Sequence, residues 1–304
     1  MSRYHPQMGK FSLSLASARL PFLVLTPACI ALGLACVYRT QGHINVMEAV
    51  LVLLGALAAH VSVNAFNEYQ DFHSGLDALT QRTPFSGGSG VLPSHPELAP
   101  LTLAMAVGCL VVSMGVGLYF VALRGMALLP LGLVGVVLVT AYTQWITRHP
   151  LLCLVAPGLG FGPLMVIGTH VALTGSYSAM AAVASLVPFF LVNNLLLLNQ
   201  FPDVEADRSV GRRHLLVTAG AAVAARWYAV QMVLAFASIP LGVAAGFLPL
   251  GALLALLMLP VVVPTMRDVV AHAQAVERLL SAMGRNVLIN LLTPVLMAVG
   301  MWLW

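Results

Sequence analysis

The sequence predicts an all-α integral membrane protein, with about nine transmembrane helices in a ring around a central cavity. Of its 304 residues, 60% are hydrophobic and only 8% are charged, whereas a soluble domain carries about 25% charged residues. The apolar residues also come in blocks of about 20, the length of a helix that crosses a bilayer. Together these observations predict a single polytopic membrane domain over residues 1–304.

Nine apolar blocks predict the transmembrane helices, with prolines and glycines at the breaks between them. The predicted spans are residues 20–38, 47–67, 99–121, 126–146, 152–173, 179–201, 225–246, 248–266 and 286–304. The longest polar connection is 68–98, followed by 202–224 and 267–285.

Basic residues predict the orientation of these spans. Of the 14 Lys and Arg residues, all except Arg39 and Arg124 fall in the N-terminal segment or near the connections after spans 2, 4, 6 and 8. Because basic residues concentrate on the cytoplasmic side, the N-terminal segment 1–19 and the loops 68–98 and 202–224 are predicted to be cytoplasmic. The net charge of +4 is then explained by topology, and no nucleic-acid partner is expected.

Six of the ten acidic residues lie in two short stretches, Asn64–Asp77 and Asn199–Asp207, each directly after an apolar block. Residues three and four apart share one face of a helix, and both stretches show this spacing. The first stripe is His60, Asn64, Asn67 and Asp71, and the second is Asn193, Gln200, Asp203 and Asp207. We therefore expect two polar stripes, each ending in carboxylates, to point into one cavity.

The energetic cost of these acids excludes a lipid-facing position. One Asp at the centre of a membrane helix costs roughly 2.5–3.5 kcal/mol, so six would cost more than a typical protein's stability. Converging carboxylates also repel each other. Their partners must be arginines, protons or a divalent metal.

The types of side chain select among these partners. Asp, Glu and Asn offer hard oxygen ligands, which favour Mg²⁺ over Zn²⁺, and Mg²⁺ is usually bound by one or two carboxylates together with substrate phosphates. Arg82, Arg208, Arg212 and Arg213 stand nearby, and guanidinium groups suit phosphate oxygens. This combination predicts a site for a phosphorylated lipid, with a metal that stabilises a departing diphosphate.

The paired motif Asn67-x3-Asp71-x5-Asp77 and Asp203-x3-Asp207 resembles that of the UbiA superfamily of membrane prenyltransferases. Further features resemble the menaquinone-type branch, the 1,4-dihydroxy-2-naphthoate polyprenyltransferases. They are Gly75, Tyr142-Thr143, Gly158-Leu159-Gly160, Asn193-Asn194 and Asp207-Arg208-x2-Gly211-Arg212.

The resemblance implies the roles of individual residues. Asp71, Asp77, Asp203 and Asp207 would be catalytic and would bind Mg²⁺ together with Asn67. The diphosphate would be bound by Asn67, Arg82, Arg208 and Arg212, and Arg212 stands where the family usually has Lys. The implied partners are a polyprenyl diphosphate, an aromatic small-molecule acceptor and membrane lipid. The implied location is the cytoplasmic membrane of a bacterium, with the active site facing the cytoplasm.

Departures from the branch leave the acceptor open. Phe161 stands where the branch commonly has Glu, and Gln144-Trp145 replaces small residues. Hydroxybenzoate, homogentisate or a tetrapyrrole are alternative acceptors to the naphthoate. A secondary transporter would carry its acids nearer mid-span, and a CDP-alcohol phosphatidyltransferase would carry them in one continuous motif.

Overall fold

The computed structural model describes residues 17–80 and 82–304, and these residues form helices, turns and loops without a strand. Arg3, Lys10 and the rest of the predicted N-terminal cytoplasmic segment up to residue 16 lie outside the described residues. The fold is therefore all-helical, as predicted.

Eight of the described helices are long and apolar enough to cross a membrane, and a further apolar helix, α4, is shorter. They are α1 (Leu20–Gln41), α2 (Val46–Ser74), α3 (Pro96–Arg124), α4 (Met126–Ala141), α5 (Pro150–Thr174), α6 (Ala179–Asn199), α7 (Ala221–Ala244), α8 (Leu250–Ala271) and α9 (Val276–Leu303). Shorter helices cover Leu76–Leu79, Val91–Ser94, Val204–Ser209 and Leu215–Ala219. The number of nine spans and the cytoplasmic N-terminus remain predictions.

Local sequence signals fix where these helices begin. The Asn45 side chain accepts hydrogen bonds from the backbone N–H groups of Met47 and Glu48 at the start of α2. Ser178 likewise caps α6. Such side chains satisfy N–H groups that have no partner within the helix. Pro96 and Pro150 stand at the first positions of α3 and α5, where a missing N–H has no cost.

Two helices extend beyond the predicted spans by about seven residues or more. α2 continues past residue 67 to Ser74, so the first acidic stretch is helical as far as Gly75, which ends the helix with a left-handed φ of 78°. α9 begins at Val276 rather than at 286, because its first turns bury Leu279, Ala282 and Met283 on one face. Mean hydropathy underestimates such amphipathic ends, since their outer face is polar.

A π-helical segment, Gly160–Ile167, interrupts α5. Prolines at 157 and 163 each lack a backbone N–H, which favours a widened turn. Close packing against α6 holds the segment, because a Cβ added to Gly162 would lie 2.5 Å from the Ser185 carbonyl oxygen.

The main hydrophobic core lies among α6, α7, α8 and α9, with part of α1. Its largest members include Leu191, Tyr228, Ile239, Leu279 and Ile289, all fully buried. In the same region α8 and α9 approach backbone to backbone at Gly251 and Gly300. This half of the molecule is a packed support for the half that contains the cavities described below.

Substituting Gly251 with Ala tests that backbone contact. The new Cβ would lie 2.0 Å from the Gly300 carbonyl oxygen, and overpacking of this kind costs about 1–3 kcal/mol. We expect Gly251→Ala to lower the midpoint of thermal unfolding in detergent. Gly108→Ala on α3 is the control, since nothing lies within 4 Å of its added Cβ. Equal midpoints for the two variants would contradict the close contact.

Candidate active site

A polar pocket of about 100 Å³ lies where α2 ends, between the glycine-rich loop 83–90 and the segment 199–214. Most of the predicted acidic residues converge here from positions far apart in the sequence. Its charged and polar lining residues are Arg19, Asn67, Asp71, Asp77, Thr80, Ser86, Tyr142, Thr147, Asn199, Gln200, Asp203, Asp207, Arg212 and His214.

Arg212 joins the two acidic stretches. Its guanidinium donates to an oxygen of Asp71 on α2 and, over 2.9 Å, to Oδ1 of Asp207. The other Asp207 oxygen lies 2.9 Å from His214 Nε2. The two carboxylates are buried, as is His214. The positive charge of Arg212 is therefore needed to offset the repulsion between the carboxylates of Asp71 and Asp207.

Asp77 and Asp203 form the less neutralised side of the pocket. Asp77 is buried on the short helix Leu76–Leu79, and its Oδ2 has no hydrogen-bond partner among the described residues. Asp203 Oδ1 accepts a 3.4 Å hydrogen bond from Ser86 Oγ. Burial and the nearby Glu68 carboxylate raise the pKa of Asp77 to about 7, and burial and Asp207 raise the pKa of Asp203 to about 7.

Glu68 anchors the glycine-rich loop, a role that the sequence did not reveal. It is completely buried, and its oxygens accept from the Ser89 backbone N–H at 2.7 Å and from Ser89 Oγ at 2.8 Å. Arg19 Nε donates to the same carboxylate at 2.9 Å. The anchored loop brings Gly88 so close to the pocket that an added Cβ would lie 2.9 Å from Asp77 Oδ1.

Arg19 is the second residue that sequence reasoning missed, since it was assigned only to topology. It lines the polar pocket, and it is the one non-glycine residue with positive φ, 52°, in the described parts of the chain. Strained backbone of this kind clusters at functional sites. Its position directly before an apolar block was the available signal.

Two of the arginines that were predicted to bind diphosphate do not reach the polar pocket. Arg208 is exposed and pairs with Glu205 on the same short helix, at 3.0 Å. Arg82 is also exposed and lies against the backbone of the loop, where a Cβ on Gly90 would meet its guanidinium at 2.1 Å. Neither lines the pocket, and their binding of diphosphate stays a prediction.

The two predicted stripes are only partly realised. On α2, Asp71 lines the polar pocket and Asn67 stands at its edge, donating to Thr143 Oγ1 at 3.1 Å. In the second stripe, Gln200, Asp203 and Asp207 line the pocket. Asn193 instead accepts from the Gly158 backbone N–H at 2.7 Å, so it joins α6 to α5.

A much larger apolar cavity of about 460 Å³ continues from the polar pocket into the membrane region. Six residues line both spaces and form their shared mouth. They are Arg19, Asn67, Phe85, Tyr142, Leu196 and Asn199. The apolar lining comes from α1 to α6, and α7–α9 contribute none of it, so the predicted ring encloses a cavity that lies toward its N-terminal half.

Within the described residues, no group of three or more His, Cys, Asp or Glu side chains is arranged to hold a metal ion. Arg212 lies between Asp71 and Asp207 and bonds both. The donor set nevertheless fits magnesium, because it is made of carboxylate and amide oxygens. The unpartnered Asp77 Oδ2 is a buried acceptor of the kind that a cation would satisfy.

Comparison with known proteins agrees with this architecture. The model of the UbiA prenyltransferase family matches residues 24–283. A solved structure of a UbiA homologue from Aeropyrum pernix has a TM-score of 0.69 at 18% identity, covering 93% of this chain and 98% of that chain. A UbiA homologue from Archaeoglobus fulgidus, bound to GPP and Mg²⁺, has a TM-score of 0.60 at 14% identity, covering 96% and 100%.

Curated relatives are more similar in sequence but match over shorter lengths. The 1,4-dihydroxy-2-naphthoate octaprenyltransferase of Escherichia coli is 27% identical over 237 residues, 73% of each chain. That of Bacillus subtilis is 25% identical over 183 residues, 58% of this chain and 56% of that protein. The UbiA prenyltransferase domain-containing protein 1 of Xenopus tropicalis is 28% identical over 202 residues, 63% of this chain and 55% of that protein. The chain thus spans little more than half the length of the last two.

The helical architecture and the matched structures define an integral membrane protein with the UbiA fold. Since the family model covers most of the sequence, the chain belongs to the UbiA prenyltransferase family.

The raised pKa of Asp203 predicts a pH-dependent stability effect of Asp203→Asn. A carboxyl whose folded pKa is about 7 binds more protons in the folded than in the unfolded state between about pH 4 and 7, so stability falls as pH rises through that window. Asn cannot ionise. We therefore expect Asp203→Asn to unfold at a higher temperature than wild type at pH 8, with little difference at pH 4.

Glu205→Gln is the control, because Glu205 is 81% exposed on the neighbouring helix. It should leave the pH dependence of unfolding unchanged. An Asp203→Asn effect of the same size at both pH values would contradict the raised pKa.

Proposed function

We propose that this chain transfers a polyprenyl group from an allylic polyprenyl diphosphate to an aromatic acceptor, with release of diphosphate. One observation carries the proposal. A small pocket lined by carboxylates and arginines opens through a shared mouth into a large apolar cavity. A ligand with a charged head and a hydrocarbon tail is complementary to both spaces at once.

Arg212 and the loop backbone are the groups that would bind the diphosphate. A guanidinium has five N–H donors, and two of the Arg212 donor groups are used on Asp71 and Asp207. Gly88 has a left-handed φ of 71° and lines the pocket beside Gly87. Successive backbone N–H groups in such a turn form a concave anion site.

Magnesium fits the same pocket. The residues that would hold it are Asn67, Asp71, Asp77, Asp203 and Asp207, of which the four carboxylates and the amide all line the pocket. Bound there, it would neutralise charge on the leaving diphosphate. The oxygens of Asp77 and Asp203 are the least occupied by protein partners.

The apolar cavity determines where the prenyl group lies. Burying hydrocarbon contributes about 25 cal/mol per Å² of surface, and the cavity walls from α1 to α6 exclude water from the reacting carbon. That carbon is bonded to the diphosphate, so it lies at the mouth. The rings of Tyr142 and Phe85 line this position, and aromatic faces stabilise cations.

We propose a quinone precursor such as 1,4-dihydroxy-2-naphthoate as the acceptor. Two curated relatives, from Escherichia coli and Bacillus subtilis, carry the name 1,4-dihydroxy-2-naphthoate octaprenyltransferase. The distribution of basic residues supports a cytoplasmic membrane location with the active site facing the cytoplasm.

The matched variants Asp207→Asn and Glu205→Gln test the reaction. Both change a carboxylate to an amide on one short helix, but Asp207 is buried in the pocket and Glu205 is exposed. With Mg²⁺ and a labelled polyprenyl diphosphate in detergent, we expect Asp207→Asn to lower product formation by about 10²–10³. Glu205→Gln should stay close to wild type.

The measurement is prenylated product and released diphosphate, each with and without a chelator. Wild type that consumes no polyprenyl diphosphate in the presence of Mg²⁺ and acceptor would contradict the proposal and favour a transporter. Diphosphate release without any prenylated aromatic product would support ionisation of the prenyl diphosphate and contradict transfer to an aromatic acceptor.

A panel of acceptors tests the finer proposal. We expect 1,4-dihydroxy-2-naphthoate to be prenylated with a higher kcat/KM than hydroxybenzoate, homogentisate or a tetrapyrrole, as the names of the relatives suggest. Product masses identify which acceptor reacts. A higher kcat/KM for any of the other three would contradict the naphthoate and leave the prenyl transfer itself standing.

A further inference from the structure

His60 is a buried, ionisable residue in the membrane-spanning part of α2 that the proposed chemistry does not use. It is 6% exposed and lines the apolar cavity. Apart from the six mouth residues, the described lining of this cavity has four polar side chains, which are His60, Asn64, Ser113 and Thr169. An ionisable side chain inside a membrane protein is a candidate for a functional role.

The neighbours of His60 hold its ring in one position. Nδ1 forms a 2.8 Å hydrogen bond with Thr26 Oγ1 on α1. The ring of Phe161 meets the imidazole edge-on, with the centroids 4.8 Å apart. Phe161 belongs to the π-helical segment of α5, and π-helical turns are frequent at functional sites. Three helices therefore converge to orient one side chain.

The other ring nitrogen is left without a partner. Nε2 of His60 has no hydrogen bond among the described residues, and it is not one of their fully enclosed unpartnered atoms, so it is open to the cavity that His60 lines. Neutral imidazole has one donor and one acceptor nitrogen, and Thr26 can complete either arrangement. Nε2 can thus bind a hydroxyl or a carbonyl oxygen of a ligand in the cavity.

The distance from His60 to the mouth matches the length of one aromatic ring with a contact at each end. It stands seven residues before Asn67 on α2, and a rise of 1.5 Å per residue separates the two by about 10 Å. The reacting allylic carbon lies at the mouth beside Asn67. Three lengths add up to this distance. They are a near-attack separation of about 3–3.5 Å between the allylic carbon and the aromatic ring, the width of that ring, and a hydrogen bond of about 2.7–3.2 Å to His60.

We propose that His60 is an acceptor-binding residue, whose Nε2 forms a hydrogen bond with an oxygen substituent on the aromatic ring, on the side away from the carbon that is prenylated. This inference rests on the proposed function and adds a residue that selects oxygenated aromatic acceptors. A hydroxyl that donates to Nε2 leaves more electron density in the ring. The attacking carbon is then more nucleophilic and is held toward the mouth.

The variants His60→Phe and His60→Gln test this role. Phe keeps a ring without polar atoms, and Gln keeps a donor and an acceptor. We expect His60→Phe to raise the acceptor KM, and its Kd in the presence of a non-ionisable thiodiphosphate analogue of the prenyl donor, by about tenfold, the value of one hydrogen bond. His60→Gln should recover part of that loss, and the KM for polyprenyl diphosphate should stay within about twofold.

His170→Gln is the matched control. His170 is another buried histidine in a membrane-spanning helix, but it bonds Thr40 and the Ser176 carbonyl through its two ring nitrogens. It lines neither cavity. We expect this variant to keep the acceptor KM and Kd of wild type.

An acceptor analogue with the far oxygen removed separates binding from a structural effect. Wild type and His60→Phe should bind that analogue equally. If His60→Phe weakens the analogue as much as the parent acceptor, or raises the KM for polyprenyl diphosphate instead, the inference is overturned and the residue contacts the prenyl tail or supports the fold. Wild type that prenylates no aromatic acceptor overturns the proposed function and this inference together. Active wild type with unaffected His60 variants overturns this inference alone.

Discussion

The bridge from Arg212 to Asp71 and Asp207 is the interaction on which the site depends. It joins residues 141 positions apart in the sequence, and both carboxylates are buried at the membrane edge. Removing one partner from a buried ion pair costs about 3–5 kcal/mol. A lysine could also bond two carboxylates, but the planar fork of arginine holds its N–H groups in fixed directions. Arg212 therefore holds the two acidic stretches together.

Charge balance favours a further cation or bound protons in this pocket. Four carboxylates and two guanidinium groups line it, so its formal charge is 2 − 4 = −2 when every acid is ionised. Arg19 is in turn paired with Glu68. A diphosphate would add more negative charge, which is unfavourable without a metal or protons. Asp77 and Asp203, with pKa values near 7, reduce this negative charge when they bind protons. Magnesium would take the place of those protons.

Sequence patterns predicted the parts of the site that depend on helical spacing. They missed the parts that depend on the direction in which a side chain points or on the conformation of a loop. The stripe from His60 to Asp71 was predictable because α2 is regular through both ends of it. Arg208 follows Asp207 directly, yet successive residues on a helix point about 100° apart, so it reaches solvent instead of the pocket. The Glu68–Ser89 anchor joins a helix to a glycine-rich loop, and no periodicity encodes such a contact. The start of α9 was missed because hydropathy averages over its two faces.

The polar groups on α2 follow the cost of charge with depth in a membrane. A full charge is most expensive at the bilayer centre and tolerable near the interface. Asp71 lies near the end of the helix, and Asn67 and Asn64 lie a turn or more deeper. His60 lies deepest, with its hydrogen bond to Thr26. A charged head, a reacting carbon and an oxygenated aromatic ring would meet carboxylates, amides and an imidazole in that order. One helix face thus offers a graded set of contacts that matches an amphiphilic donor and a polar aromatic acceptor in line.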